Sequence, residues 1–245
     1  MEGPTADQIV AAAERLRGHV VATPLIGGLV LPGGAPTVDV RMKPEVLQPS
    51  GGLYFRGAMH WMLRQLGSLK GVIVHGGVRP VLAGAYAAAF NRVPAIACPD
   101  VDLDERFLSL LGQLGCEVRS GVGGQEAVRA ASATLGYQVM PGSDDPDYVA
   151  GVATVGLELA RELPTETEIV TVSPAELGAA VAHGLAAAGL SLRVEAIDED
   201  GVCPPDQLKA ALATSLRLEL GAASVAALHR AIEHGRGVRC AVLGS

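Results

Sequence analysis

Apolar positions along this chain switch repeatedly between a spacing of two and a spacing of three to four. Ahead of IVAAAERL, Thr5 and Gln8 stand three apart as a capping box, and the apolar residues that follow recur at helical spacing, which predicts a helix over about Ala6 to Arg17. VDVRMK alternates and predicts a strand ending near Lys43. The period then changes to helical in RGAMHWMLRQL (Arg56 to Leu66), followed by a short buried strand GVIVHGG (Gly71 to Gly77) and a helix PVLAGAYAAAF with Pro80 in its first turn. PAIACP, DERFLSLLGQL, CEVRS and QEAVRAASATL continue the alternation. A long helical pattern from about Pro146 to Glu162 precedes the strand EIVTVS, the helix PAELGAAVAHGLAAAG and the strand LRVEAI, and from Pro204 two more helices lead to a terminal strand VRCAVL. Ala-rich helices between short apolar strands predict an α/β fold with parallel sheets covered on both faces.

Composition narrows the function classes. The chain of 245 residues is 49% hydrophobic and 18% charged, enough to build a sizeable core, and with 3 Phe, 1 Trp and 4 Tyr that core is aliphatic. With 19 Lys plus Arg against 26 Asp plus Glu the net charge is −7, the wrong sign for neutralising phosphates, and the few aromatics leave no stacking platform, so no nucleic-acid partner is expected. The N-terminus has no basic stretch followed by an apolar run, and no window reaches the length of a membrane span, so the expectation is a cytoplasmic chain with no membrane partner. Cys98, Cys116, Cys203 and Cys240 are far apart in sequence, without CxxC or Cys/His spacing, so no metal site and no disulfide framework are expected.

KPEVLQPSGGLYFRGAMHWM (Lys43 to Met62) resembles the segment that members of the threonine dehydratase and serine racemase family, the fold type II pyridoxal-phosphate enzymes, write as KxExLQxTGSFKxRGA. Further pieces follow in the family's order: Thr23-Pro24-Leu25, VIVHGG, GCEV from Gly115 to Val118, DPDYVAGVATVGLE, and LELGAASVAAL from Leu218 to Leu228. The resemblance spans nearly the whole chain. It implies a two-domain, tryptophan synthase β-like architecture, with a large α/β domain from residues 1–66 plus 146–245 and a small inserted α/β domain from 67–145. The segment between Asp198 and Glu219 is shorter than in active members, which implies a truncated large domain.

The departures fall on the residues that carry the family's chemistry. The Schiff-base lysine of the family aligns with Tyr54, and a phenol forms no imine with an aldehyde. The glycine-rich phosphate cradle is replaced by Ser173-Pro174-Ala175-Glu176-Leu177, which reads as a capping box, Ser173 capping and Glu176 folding back onto the helix N-terminus. The SSGNH turn becomes His75-Gly76-Gly77-Val78-Arg79, and the motif that follows the family's last strand is replaced by Leu243-Gly244-Ser245. These departures lead to the expectation that the chain carries no cofactor, pyridoxal phosphate having been lost.

Two function classes stay open. One is a threonine dehydratase-like pseudoenzyme without ammonia-lyase chemistry, serving association, regulation or binding of a small metabolite, as a homodimer or with an active relative. The other is a cofactor-free lyase or isomerase in the old cleft, with His75 as general base and Tyr54 as acid. The bland reading of those two residues is that His75 ends a strand and Tyr54 fills space. Arg56, Gly77, Val78, Arg79, Ser173 and Glu176 are expected to line the cleft.

Overall fold

The structure is a computed structural model and describes residues 3–27, 38–119, 124–197 and 237–243. In chain order its elements are α1 (Ala6–Leu16), β1 (Val38–Lys43), a 3₁₀ turn (Glu45–Leu47), α2 (Tyr54–Gln65), β2 (Val72–Gly76), α3 (Val78–Phe90), β3 (Ala95–Pro99), α4 (Glu105–Gln113), β4 (Cys116–Val118), α5 (Gly124–Leu135), β5 (Gln138–Val139), α6 (Pro146–Glu162), β6 (Thr167–Ser173), a second 3₁₀ turn (Ala175–Leu177), α7 (Gly178–Ala187), β7 (Arg193–Ala196) and β8 (Gly237–Leu243). The two helices expected after Pro204, and the stretch from Leu218 to Leu228, lie outside the described residues.

The strands form two parallel sheets, one in the order β1-β8-β6-β7 and the other β4-β3-β2-β5. Short apolar strands such as β3, buried along all five residues, are buried because helices flank them in sequence and cover them in space. One apolar cluster runs from Val72 and Val74 of β2 through Met59 and Met62 of α2 and Val152 and Val155 of α6 to Val170 and Val172 of β6. The cleft elements are therefore seated on a shared core, to which each fully buried Leu or Phe contributes about 1.5–3 kcal/mol. No helix among the described residues is long and apolar enough to cross a membrane.

Within this core lies a charged cluster. Arg56 is 0% exposed, and its guanidinium engages both oxygens of Glu45, at 2.7 and 2.9 Å, and both oxygens of Glu158, at 2.7 and 3.0 Å. Thr154 Oγ1 and the Val21 carbonyl accept from the same guanidinium. Glu45, also fully buried, accepts from the Thr23 hydroxyl at 2.6 Å and from Gln48. Lys43 Nζ meets Glu158 at 2.9 Å, Glu162 at 3.2 Å and the Thr23 carbonyl at 2.6 Å. Burial alone would raise the Glu45 carboxyl, but the bidentate guanidinium and the Thr23 and Gln48 donors outweigh it and hold the group below the usual carboxylate range.

A second polar contact ties three helices. Buried His60 of α2 has Nδ1 at 2.7 Å from the Asp147 carbonyl and Nε2 at 3.0 Å from Arg15 Nη1. The carbonyl accepts and the guanidinium donates, so the network assigns a neutral imidazole protonated on Nδ1. Burial, reinforced by the charge of Arg15 and opposed by the Asp147 carbonyl, holds this group below its ordinary value.

Arg56→Met should lower unfolding free energy by about 3–5 kcal/mol in urea titration, because it strands the fully buried Glu45 without its cation, while Glu158 keeps Lys43. Arg41→Met, which removes a partly exposed pair with Asp39, should cost less than about 1 kcal/mol. For His60 the folded state takes up its proton at lower pH than the unfolded state, so its contribution is complete above about pH 6.5 and is lost as pH falls below that value. The drop in melting temperature between pH 7.5 and 5.5 should be smaller in His60→Gln than in the parent chain.

Candidate functional site

Helix α2 begins at Tyr54, two residues earlier than the apolar period predicts, so Tyr54 lies in the first turn. The turn before it is set by Gly51, whose φ of +79° lies in the left-handed region that a side chain disfavours. A Cβ there would stand 3.3 Å from Arg79 Nη1, which places the Arg79 guanidinium over the Gly51 backbone. Further along α2, Gly57 is required by close approach, since a Cβ on it would overlap the Tyr148 ring. Opposite Tyr54, β6 runs through Ser173 and turns at Pro174 into the short 3₁₀ segment that carries Glu176.

Tyr54 donates its hydroxyl to Glu176 Oε1 at 2.5 Å, across 122 positions of sequence. The pair forms part of the wall of a cavity of about 480 Å³, also lined by His75, Pro80, Met140, Asp144 and Tyr148. That volume is in the range of small-molecule sites. Tyr148 is buried and donates to the Tyr54 carbonyl at 3.1 Å. Burial, and then the Glu176 carboxylate, push the Tyr148 phenol above its ordinary value. A second cavity of about 340 Å³, lined by Pro4, Val149, Ala179 and His183, shares Ser143, Asp144 and Glu176 with the first.

Of the expected site residues, Tyr54, His75 and Glu176 come together on one cavity. His75 sits at the end of β2, in register with Cys98, and its side chain is exposed. Gly77 is the N-cap of α3, and Val78 and Arg79 form its first turn, but none of the three belongs to the lining of this cavity. Arg56 does not face this cleft, because its guanidinium is consumed by Glu45 and Glu158. The capping box also fails. Pro174 occupies the cap position of the 3₁₀ turn without a side-chain bond, and Ser173 belongs to β6, its buried Oγ without a partner among the described residues. Glu176 reaches across to Tyr54 instead of folding back. Sequence reasoning missed Tyr148 and Asp144, although both lie in or beside the segment DDPDYVAG that carries part of the family likeness.

Residues 16–240 match the family model described as pyridoxal-phosphate dependent enzyme. The chain is 32% identical over 196 residues to a protein of Sinorhizobium fredii named "Putative threonine dehydratase", covering 78% of this chain and 58% of that protein's length. Among solved structures it is similar to a pyridoxal 5'-phosphate-dependent aspartate racemase, with a TM-score of 0.83 at 18% identity over 100% of this chain and 96% of the other. It is similar also to maize serine racemase, with a TM-score of 0.81 at 18% identity over 100% and 95%. These two likenesses carry the fold, which is that of fold type II enzymes.

The family match corrects the expectation of a chain without a cofactor, which was inferred from departures at Tyr54 and in three short segments whereas the match extends over residues 16–240. The described residues nevertheless do not fit a cofactor held as an imine at this cavity. Tyr54 offers a phenol. Lys43 Nζ is buried among Glu158, Glu162 and the Thr23 carbonyl, and Lys70 is exposed away from the cavity wall. What the wall can do by its own groups is donate, accept and shuttle protons between a phenol, a carboxylate and an imidazole.

The Tyr54–Glu176 bond has a charged acceptor and a short distance, so a double-mutant cycle of Tyr54→Phe and Glu176→Gln in urea unfolding should give a coupling of about 1.5–3 kcal/mol. Strict additivity of the two substitutions would show that the bond does not persist in solution.

Proposed function

The chain belongs to the pyridoxal-phosphate dependent enzyme family, and we propose that it is a threonine dehydratase-like member whose cavity at Tyr54 and Glu176 binds a small polar metabolite reversibly and without a covalent bond to Tyr54. The single observation that carries this reading is the Tyr54–Glu176 hydrogen bond on the wall of a cavity large enough for such a ligand. The pair presents an acceptor-rich carboxylate and an oriented phenol where the family places a nucleophilic amine. In this reading residues 1–66 plus 146–245 and residues 67–145 act as two lobes around the cleft. The bound ligand then serves association, as a homodimer or with an active relative, or regulation of such a partner.

A second reading, acid–base catalysis by a lyase or isomerase, is favoured by one specific observation, the lining of one cavity by His75, Tyr54 and Glu176 together. Calorimetric titration of the purified chain with a panel of free amino acids and 2-hydroxy acids separates the two. The binding reading expects saturable heat for at least one compound, a roughly tenfold weaker Kd in Tyr54→Phe, corresponding to about 1.4 kcal/mol, and no turnover. Exchange of the ligand's α-proton in D₂O, lost in both His75→Gln and Tyr54→Phe, would transfer the assignment to the catalytic reading. Absence of binding across the panel would overturn the ligand-binding proposal.

A further inference from the structure

We propose that Tyr148 is the positioning residue of the cleft, holding the first turn of α2 so that the Tyr54 phenol meets Glu176 and tying that turn to the ligand-facing wall at residues 142–144. Its consequence for ligands rests on the reading of the cavity given above, whereas its geometry does not. Tyr148 is 2% exposed, and its hydroxyl donates to the carbonyl of Tyr54 itself, the residue whose side chain makes the bond to Glu176. Its ring packs against Gly57, three residues further along α2, so closely that a Cβ there would overlap it. Tyr148 thus holds α2 at two points, a polar one at the first residue and a steric one three residues on.

The other end of Tyr148 is held just as firmly. Asp145 Oδ1 accepts from the backbone N–H of Tyr148 and of Asp147, both at 2.9 Å, capping α6. The Asp145 N–H donates to the Gly142 carbonyl at 3.2 Å, and Asp144 Oδ1 accepts from the Gly142 N–H at 3.3 Å. Gly142, Ser143 and Asp144 line the cavity. A continuous set of bonds therefore runs from the wall that an occupant would touch, through Asp145 and Tyr148, to Tyr54 and Glu176. The Tyr54 carbonyl has two lone pairs, so the Tyr148 hydroxyl adds to the helix and its removal leaves the backbone bonds of α2 in place. The Glu176 charge that raises the Tyr148 phenol agrees with a compact three-group arrangement.

The test is tyrosine ring NMR with ¹³C at Cζ, which yields four resonances, from Tyr54, Tyr86, Tyr137 and Tyr148, assigned by single Tyr→Phe variants. In Tyr148→Phe the Tyr54 resonance should move toward that of a solvent-exposed phenol while Tyr86 and Tyr137 stay in place. The Kd of whichever panel compound binds should weaken about fivefold. A folded Tyr148→Phe with an unmoved Tyr54 resonance would show that Tyr148 is packing alone and overturn the proposal. Should that variant not fold, Glu176→Gln, which changes an exposed side chain, serves in its place. It should shift both Tyr54 and Tyr148, and a shift of Tyr54 alone would overturn the proposed coupling. Since the resonances are read without ligand, a panel with no binder would sink the ligand-binding function without touching this result.

Discussion

The orientation of α2 depends on one buried cation. Arg56 stands near the start of that helix with no solvent to neutralise it, so every donor of its guanidinium must find an acceptor inside the protein. Those acceptors come from the 3₁₀ turn after β1, from the chain at Val21 and from α6. The guanidinium is planar and its forks to Glu45 and Glu158 are both bidentate, so the arrangement admits little rotation of α2 about its own axis. Such a cluster adds less to net stability than its short distances suggest, because desolvation offsets much of the attraction. What it supplies is direction, and Lys43 extends it by joining Glu158 to Glu162 and the strand β1 to α6.

With Arg56 turned toward Glu45 and Glu158, Tyr54, two residues earlier and about 200° away around the helix, faces the other side. The same helix thus has one face committed to a saturated salt cluster and another presented to the cavity. The contact with α6 is close enough to require glycine at 57 and lets the Tyr148 hydroxyl reach the Tyr54 carbonyl. Stability and site geometry meet in these few residues, so a substitution on the buried face of α2 acts on the cleft without touching it. Arg56 itself is the example: expected in the cleft from its place in the motif, it acts on Tyr54 only through the helix.

The alternation of periods made the α/β class, the parallel sheets and most elements legible, and the long helix Pro146–Glu162 appears with the expected ends because Asp145 caps it and Pro146 opens it. Contacts between distant segments were not legible. Tyr54 and Glu176 are separated by 122 positions, and no local period or motif spacing couples them. Ser173-Pro174-Ala175-Glu176 has the composition of a capping box, but the strand continues through Ser173, and the extended backbone at Pro174 and the 3₁₀ turn after it aim Glu176 outward. Local composition named the residue correctly and its partner wrongly. Tyr148 gave no signal of its own, since a tyrosine near the start of an amphipathic helix is ordinarily core, and only Gly57 facing its ring marks the difference.

The outward aim of Glu176 has a further physical meaning. A carboxylate that capped its own helix would be neutralised by backbone N–H groups and would present little charge to the cavity. Held instead by a single phenol, with its other oxygen bonded to none of the described side chains at short range and its own residue exposed, it keeps acceptor capacity for an occupant. Tyr54 in turn directs its proton to Glu176. The carboxylate of the pair is therefore complementary to a ligand group that donates, such as a hydroxyl or an ammonium.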